Sequence, residues 1–256
     1  MMPVFDFSGQ NILVTGASRG IGKAITTKFA ESGGNVIIHY HKNRKAAEEV
    51  LSFLKPNHHT IIKADLSDPN QVENLSKKCF EKYNQIDVLV NNAGVFEEFD
   101  IMELSYDNWQ KSWRKTIETN LSGTANLSFL ISKVMKVKGG CKIINISSRG
   151  AFRGEPDAPA YGASKAGMNS FGQSLARALA RYNIMVYTVA PGFVATEMAE
   201  YAMVGKRAEE IRNQSPLQRI AQPEEIAQTV LYLASPGTDY LTGCIVDING
   251  ASYLRT

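Results

Sequence analysis

The chain has 256 residues and a formal net charge of +3, from 28 Lys and Arg against 25 Asp and Glu, with 44% hydrophobic residues. That length suits one large α/β domain with a substantial core, and the mild charge contains no long basic run, so nucleic-acid binding has no support. The N-terminal MMPVFDF has no basic region ahead of an apolar stretch, and no apolar run approaches the ~20 residues of a bilayer span, so the sequence reads as soluble and cytoplasmic.

Short apolar, β-branched runs alternate with longer helical patterns along the chain. NILVT at 11–15 precedes a helix expected from Gly20 to Glu31. NVIIHY at 35–40 precedes an Ala/Glu-rich helix around 44–55. TIIKA at 60–64 leads to a helix that Pro69 suits as a first position. IDVLVNN at 86–92 is followed by a long helical stretch over 106–138. KIINIS at 142–147, a small-residue helix over 159–182 and IMVYTVA at 184–190 follow. Pro223 opens a helix to Ala234, and CIVDI at 244–248 ends the pattern. Seven near-continuous apolar strands alternating with helices predict a doubly wound Rossmann-type α/β fold. The whole chain, 1–256, reads as one domain, with a seven-stranded parallel sheet covered by helices on both faces. Such a fold places its ligand at the carboxyl ends of the strands.

Those ends carry the unusual residue choices. TGASRGIG at 15–22 follows the first strand and opens the first helix: Gly16 permits a tight turn, and Gly20 and Gly22 permit close backbone approach to a pyrophosphate at the helix N-terminus. After the second strand, where a ribose-binding carboxylate is expected about 20 residues on, stands Tyr40-His41-Lys42-Asn43-Arg44. Together with Arg19 this surface suits a 2′-phosphate, or is an ordinary solvated basic turn. Asp65 reads as a helix cap or an acceptor for an adenine edge, and Asp68, just before Pro69, is the better cap. NNAG at 91–94 closes the fourth strand. Tyr161 and Lys165 in YGASK fall four apart on one helix face, where an ammonium could lower a phenol's pKa. Cys79, Cys141 and Cys244 are far apart and read as buried reduced thiols; His39, His41, His58 and His59 lack the partners of a metal site.

TGASRGIG, NNAG, Asn120 in ETNLSG, Ser148 in INISS, YGASK and PGFVAT together resemble the short-chain dehydrogenase/reductase family, in family order over about residues 8–250. Ser148 precedes Tyr161 by 13 residues, which selects it over Ser147. The resemblance implies NADP(H)-dependent reduction of a carbonyl, with catalytic residues Asn120, Ser148, Tyr161 and Lys165. Tyr161 would donate the proton and Lys165 would lower its pKa. Ser148 would bind the oxygen on which charge develops, and Asn120 would hold a helix bend. Cofactor contacts would come from Gly16, Ser18, Arg19, Gly20, Ile21, Gly22, His41, Asp65, Leu66, Asn92, Ala93 and Gly94. Tyr161, Lys165, Pro191, Gly192, Val194 and Thr196 would complete that set.

Residues 193–215 resemble the family's substrate lid, with Met198, Tyr201, Met203 and Val204 as an apolar lining or a helix packing its own face. Arg149 and Arg153 flank the serine loop, facing an anionic substrate or water. The resemblance is greatest to 3-oxoacyl-thioester reductases. That group's two carrier-protein-docking arginines would fall on Gly139 and Tyr182; the adjacent Lys138 and Arg181 could substitute, although a neighbouring helix position points elsewhere, which weakens an acyl-carrier-protein partner without excluding it. Sugar or polyol dehydrogenases and a non-catalytic nucleotide-sensing regulator are the alternatives. The family also implies a homotetramer packed through 106–138 and 159–182, where Ala163, Ala166, Gly167, Gly172 and Ala176 would allow close helix approach.

Overall fold

β-branched runs become strands where both faces are covered by helices, and this chain supplies both coverings. The computed structural model describes residues 5–202 and 204–255, without the side chains of 200–202. Seven strands form one parallel sheet in the order β3-β2-β1-β4-β5-β6-β7: β1 Asn11–Val14, β2 Asn35–Tyr40, β3 Thr60–Lys63, β4 Val88–Asn91, β5 Cys141–Ile146, β6 Ile184–Pro191 and β7 Ile245–Ile248. Helices α1 Gly20–Glu31, α2 Arg44–Phe53, α3 Pro69–Lys82, α4 Tyr106–Ile117, α5 Gly123–Met135, α6 Gly150–Arg153, α7 Pro159–Leu179, α8 Gly205–Asn213 and α9 Pro223–Ala234 connect and cover them. The expected fold class is the observed one.

Period-two alternation divides the strand side chains between two cores. Ile12, Val14, Val36, Ile38, Val88, Val90 and Ile144 pack with Ile25 and Phe29 of α1 and with Ile226, Val230 and Leu231 of α9. Leu13, Ile37, Leu89, Ile143 and Val186 face the other way, toward Leu75 of α3 and Leu127 and Ile131 of α5. Each fully buried aliphatic side chain contributes about 1.5–3 kcal/mol relative to exposure. Register slips are therefore disfavoured on both faces at once.

Helix starts follow local chemistry. Asp68, not Asp65, caps α3 by accepting the Asn70 N–H at 2.9 Å, with Pro69 at the first position. Asn43 caps α2 and Ser105 caps α4, and Gln222 with Glu225 forms a capping box on α9. The helical stretch expected over 106–138 is continuous but not uniform: a π-helical turn, Glu118–Ser122, joins α4 to α5, and the helix stops at Met135. Beyond the stop the chain turns at Gly140. Its φ is +96°, and a Cβ there would lie 1.9 Å from Asn183 O. No described helix is long and apolar enough to cross a membrane.

Candidate active site

The sheet order changes direction between β1 and β4, and a cleft of ≈ 980 Å³ opens there across the carboxyl ends of the strands. Every residue that the sequence marks for catalysis or cofactor binding borders it except Asn120, which is fully buried behind it.

At one end the chain turns sharply from β1 into α1. Gly16 and Gly20 adopt φ of +61° and +51°, and a Cβ on Gly22 would lie 2.2 Å from Gly16 O. Thr15 and Asn92 hold this turn against β4. Thr15 Oγ1 accepts the N–H groups of Asn92 at 2.9 Å and Ala93 at 3.0 Å, and Asn92 Nδ2 donates to Thr15 O at 2.9 Å and Gly16 O at 3.1 Å. The neighbouring Asn91 points into the interior instead, to Ser128 and Asn145. α1 starts at Arg19 with no side-chain cap and no acidic residue in its first turn. Its first N–H groups are thus left facing the cleft, as an anion requires.

The outer rim of this end is basic but not free of acid. Arg19 pairs with Glu197 at 3.2 Å, and His41 Nε2 lies 3.3 Å from Asp65 Oδ2. The carboxylate-free turn read from 40–44 is correct for the turn itself. The adjacent β3 end nevertheless delivers Asp65 to it. Burial pulls the Asp65 carboxyl up, but the Ser67 hydrogen bonds and the charges of His41 and Lys42 outweigh it and hold it below its ordinary value.

The other end is the Tyr161 corner. Lys165, one turn along α7, donates to Ile146 O at 2.7 Å and sits 5.7 Å from the Tyr161 ring centroid. The Tyr161 hydroxyl shares a hydrogen bond with Ser148, whose Oγ also accepts the Gly150 N–H at 3.0 Å. Ser147, pointing the opposite way at the strand end, bonds the Lys165 carbonyl at 3.3 Å. Asn120 occupies the π-helical turn: Oδ1 accepts the Val95 N–H at 2.8 Å, and Nδ2 donates to Val95 O at 3.0 Å and Ser164 Oγ at 3.1 Å. A Cβ on Gly94 would lie 3.3 Å from Asn120 Oδ1 and 3.7 Å from Lys165 Nζ, so the two groups flank the same glycine.

Charge in this corner departs from the simple expectation. Burial pushes the Tyr161 phenol up to about 12; the Ser148 hydrogen bond opposes this and the Glu155 charge adds to it. Burial also pulls the Lys165 ammonium down to about 8. In the free protein Lys165 therefore does not bring the phenol down, because desolvation of the phenolate dominates.

Arg149 neither faces water nor stands open. It is 3% exposed, bonded to Ser252 and Gln214, with its guanidinium 4.9 Å above the Phe193 ring. Burial pulls it down to about 10. Arg153 pairs with Glu155 at 3.2 Å. Between 193 and 215 the chain is pinned at its root by Ala195 N to Ala221 O at 2.8 Å and Ala221 N to Phe193 O at 3.0 Å. Met198 borders the cleft, whereas Val204 is 72% exposed; Met203 and the Tyr201 side chain lie outside the described residues. Cys79 and Cys141 are buried, but Cys244 is only half-buried.

Several site residues escaped the sequence reading. Phe96 packs edge-on against Tyr161 at 4.9 Å, and the Glu155 charge, in the loop after α6, acts on the phenol. Ser164, inside YGASK, buttresses Asn120, and His39 holds the Gly16 turn. Only Ser164 carried a local signal, through its place in the motif.

Comparison with known proteins agrees with this geometry. The family model described as enoyl-(acyl carrier protein) reductase matches residues 16–251. A 3-oxoacyl-[acyl-carrier-protein] reductase of Synechocystis is 36% identical over 95% of this chain and 96% of its own length. One from Staphylococcus aureus is 36% identical over 96% and 98%. A solved structure titled short-chain dehydrogenase/reductase, glucose/ribitol dehydrogenase, from Brucella melitensis superposes with a TM-score of 0.89 at 30% identity, over 99% of this chain and all of that one. With its parallel sheet, its glycine turn and the Ser148, Tyr161 and Lys165 side chains on one cleft, the chain belongs to the short-chain dehydrogenase/reductase family of oxidoreductases.

Proposed function

We propose that this protein reduces a ketone, most simply the 3-oxo group of an acyl thioester, with NADPH as reductant. The observation that carries the reading is the convergence of Ser148 and Tyr161, backed by Lys165, on the cleft that begins at the glycine turn. A dinucleotide fits this cleft. The uncapped α1 N-terminus and the close approach at Gly16 and Gly22 suit its pyrophosphate, and Arg19 with His41 suits a 2′-phosphate. Pro191, Gly192, Val194 and Thr196 border the same cleft, Thr196 beside Gly20 of the turn. When bound, the reduced nicotinamide supplies a hydride.

The chain's own residues do the rest. Ser148 and Tyr161 both present a hydroxyl to one point, where a carbonyl oxygen gaining negative charge is stabilised. Tyr161 transfers its proton to that oxygen. A phenol held near 12 is fully loaded with that proton at pH 7. Lys165, anchored to Ile146 O, fixes the positive charge beside the resulting phenolate, and Asn120 holds the turn behind it. The soluble, cytoplasmic homotetramer implied by the family remains part of this reading. Ala163 and Ala166 are exposed on α7, but Gly167, Gly172 and Ala176 pack inward, Gly167 against Leu121.

The relatives named 3-oxoacyl-[acyl-carrier-protein] reductases favour an acyl thioester. Carrier docking gains no support: Lys138 is engaged by Asn84 at 2.8 Å, and Arg181 stacks 4.8 Å over Tyr182. Two other readings have an observation of their own. The family model's description points to reduction of an enoyl C=C bond, and the Brucella title points to a sugar alcohol. Turnover of NADPH with matched 3-oxoacyl thioesters, 2-enoyl thioesters, cyclic ketones and sugars decides among them. The 3-oxoacyl substrate is expected to give the highest kcat/KM. Turnover confined to the enoyl or sugar substrates would overturn the proposal, and NADPH binding with no turnover at all would favour a sensing role.

A further inference from the structure

β2 carries one histidine to the rim of the cleft whose ring never meets bulk water: His39 is 1% exposed. Its Nδ1 accepts the Gly16 N–H at 3.1 Å, and its Nε2 lies 3.1 Å from Ala64 O. A carbonyl oxygen can only accept, so the ring proton sits on Nε2 and the Nδ1 lone pair belongs to Gly16. The backbone carbonyl of the same residue accepts the Ala17 N–H at 2.9 Å. Residues 16 and 17 thus hang on residue 39. From the other side, Asn92 Nδ2 donates to Gly16 O at 3.1 Å. The left-handed Gly16 residue is therefore held at its N–H from β2 and at its C=O from β4.

Ala64 precedes Asp65 and Leu66, which border the cleft beside the Gly16 turn. One rigid imidazole consequently sets the spacing between the two backbone segments that flank this end. We propose that His39 is a positioning residue for the dinucleotide. By joining the Gly16 N–H to the Ala64 carbonyl, it holds the turn and the Asp65–Leu66 segment in the arrangement that receives the adenosine half. This inference rests on the NADPH reading above. Burial keeps the ring neutral, pulling its pKa down to about 4; the Ala64 bond and Asp65 oppose the shift, while His41 adds to it.

Two substitutions separate the two bonds. His39→Asn places an acceptor oxygen the same number of bonds from the backbone as Nδ1, keeping the Gly16 contact and losing Ala64. His39→Gln reaches the Nε2 position, keeping Ala64 and leaving the Gly16 N–H buried without an acceptor. Dissociation constants are measured for NADPH and for 2′,5′-ADP, which contains only the adenosine half, together with kcat at saturating NADPH and the thermal midpoint. Each variant severs the join at one end, so a loss of about tenfold for both ligands is expected in each, the size that losing one buried hydrogen bond implies, with kcat little changed. Wild-type affinity in either variant, or drops in thermal midpoint with no change in affinity, would overturn the inference. If His39→Gln does not fold, His39→Asn decides alone: a loss of about tenfold in affinity for 2′,5′-ADP supports the role and retained affinity overturns it. Wild-type protein that binds neither ligand would overturn the NADPH reading and this inference with it.

Discussion

The Tyr161 corner and the Arg19–His41 rim lie on opposite sides of the β1/β4 boundary and treat charge in opposite ways. At the corner the ionisable groups are enclosed: Lys165 is 3% exposed, its ammonium pulled down to about 8 and the Tyr161 phenol pushed up to about 12. At the rim the side chains of Arg19 and Glu197 are 60% and 57% exposed, and that of His41 is 45%. Water and salt screen exposed charges, so under the proposed function the rim is expected to adjust affinity in small steps and the buried corner to alter a barrier. The same residue chemistry therefore carries different weight at the two ends.

The largest expected effect is at the corner. Tyr161→Phe removes one oxygen and leaves the glycine turn intact. Reduction is expected to fall about 10²–10⁴-fold, the usual worth of a general acid, with NADPH affinity nearly unchanged in a fluorescence titration. Activity above about a tenth of wild type would place the proton donor elsewhere.

The second effect is a pH dependence. Burial lowers the Lys165 pKa to about 8, so its charge is present below that pH and lost as the pH rises through it. The pH profile of kcat/KM for NADPH should accordingly fall on its alkaline side with an apparent pKa near 8. Stability should move the other way. Between about 8 and the ordinary lysine value the unfolded chain holds one more proton, so the folded state gains as pH rises. A flat rate profile across pH 7–10 would show that Lys165 remains charged in the working enzyme.

The rim should yield less. His41→Asp adds a second carboxylate beside Asp65, which repels a 2′-phosphate and offers a diol an acceptor. The ratio of kcat/KM with NADPH to that with NADH is expected to drop by about tenfold, the effect of one added close charge. Arg19→Gln should cost least, about two- to fivefold in NADPH affinity, and the loss should vanish in high salt. An Arg19 effect that resisted salt, or that rivalled the loss in Tyr161→Phe, would erase the contrast between the two ends.

Periodicity and motif spacing made most of this architecture legible. Apolar β-branched runs with helical patterns between them have few arrangements that bury both sheet faces, so the parallel sheet and the residues at its carboxyl rim followed from local order alone. The glycines at 16, 20 and 22 and the Tyr161–Lys165 turn are short-range features and were readable for the same reason. Contacts between segments distant in sequence were not. Nothing near position 39 indicates that its ring accepts from Gly16, nothing near 155 that its charge acts on the Tyr161 phenol, and nothing near 149 that an arginine is buried against Gln214 and Ser252. The direction of the Tyr161 shift belongs to this second class. A lysine four residues away is visible in the sequence, but the loss of water around the phenol depends on what the fold packs over it, and in the free protein that loss outweighs the nearby charge.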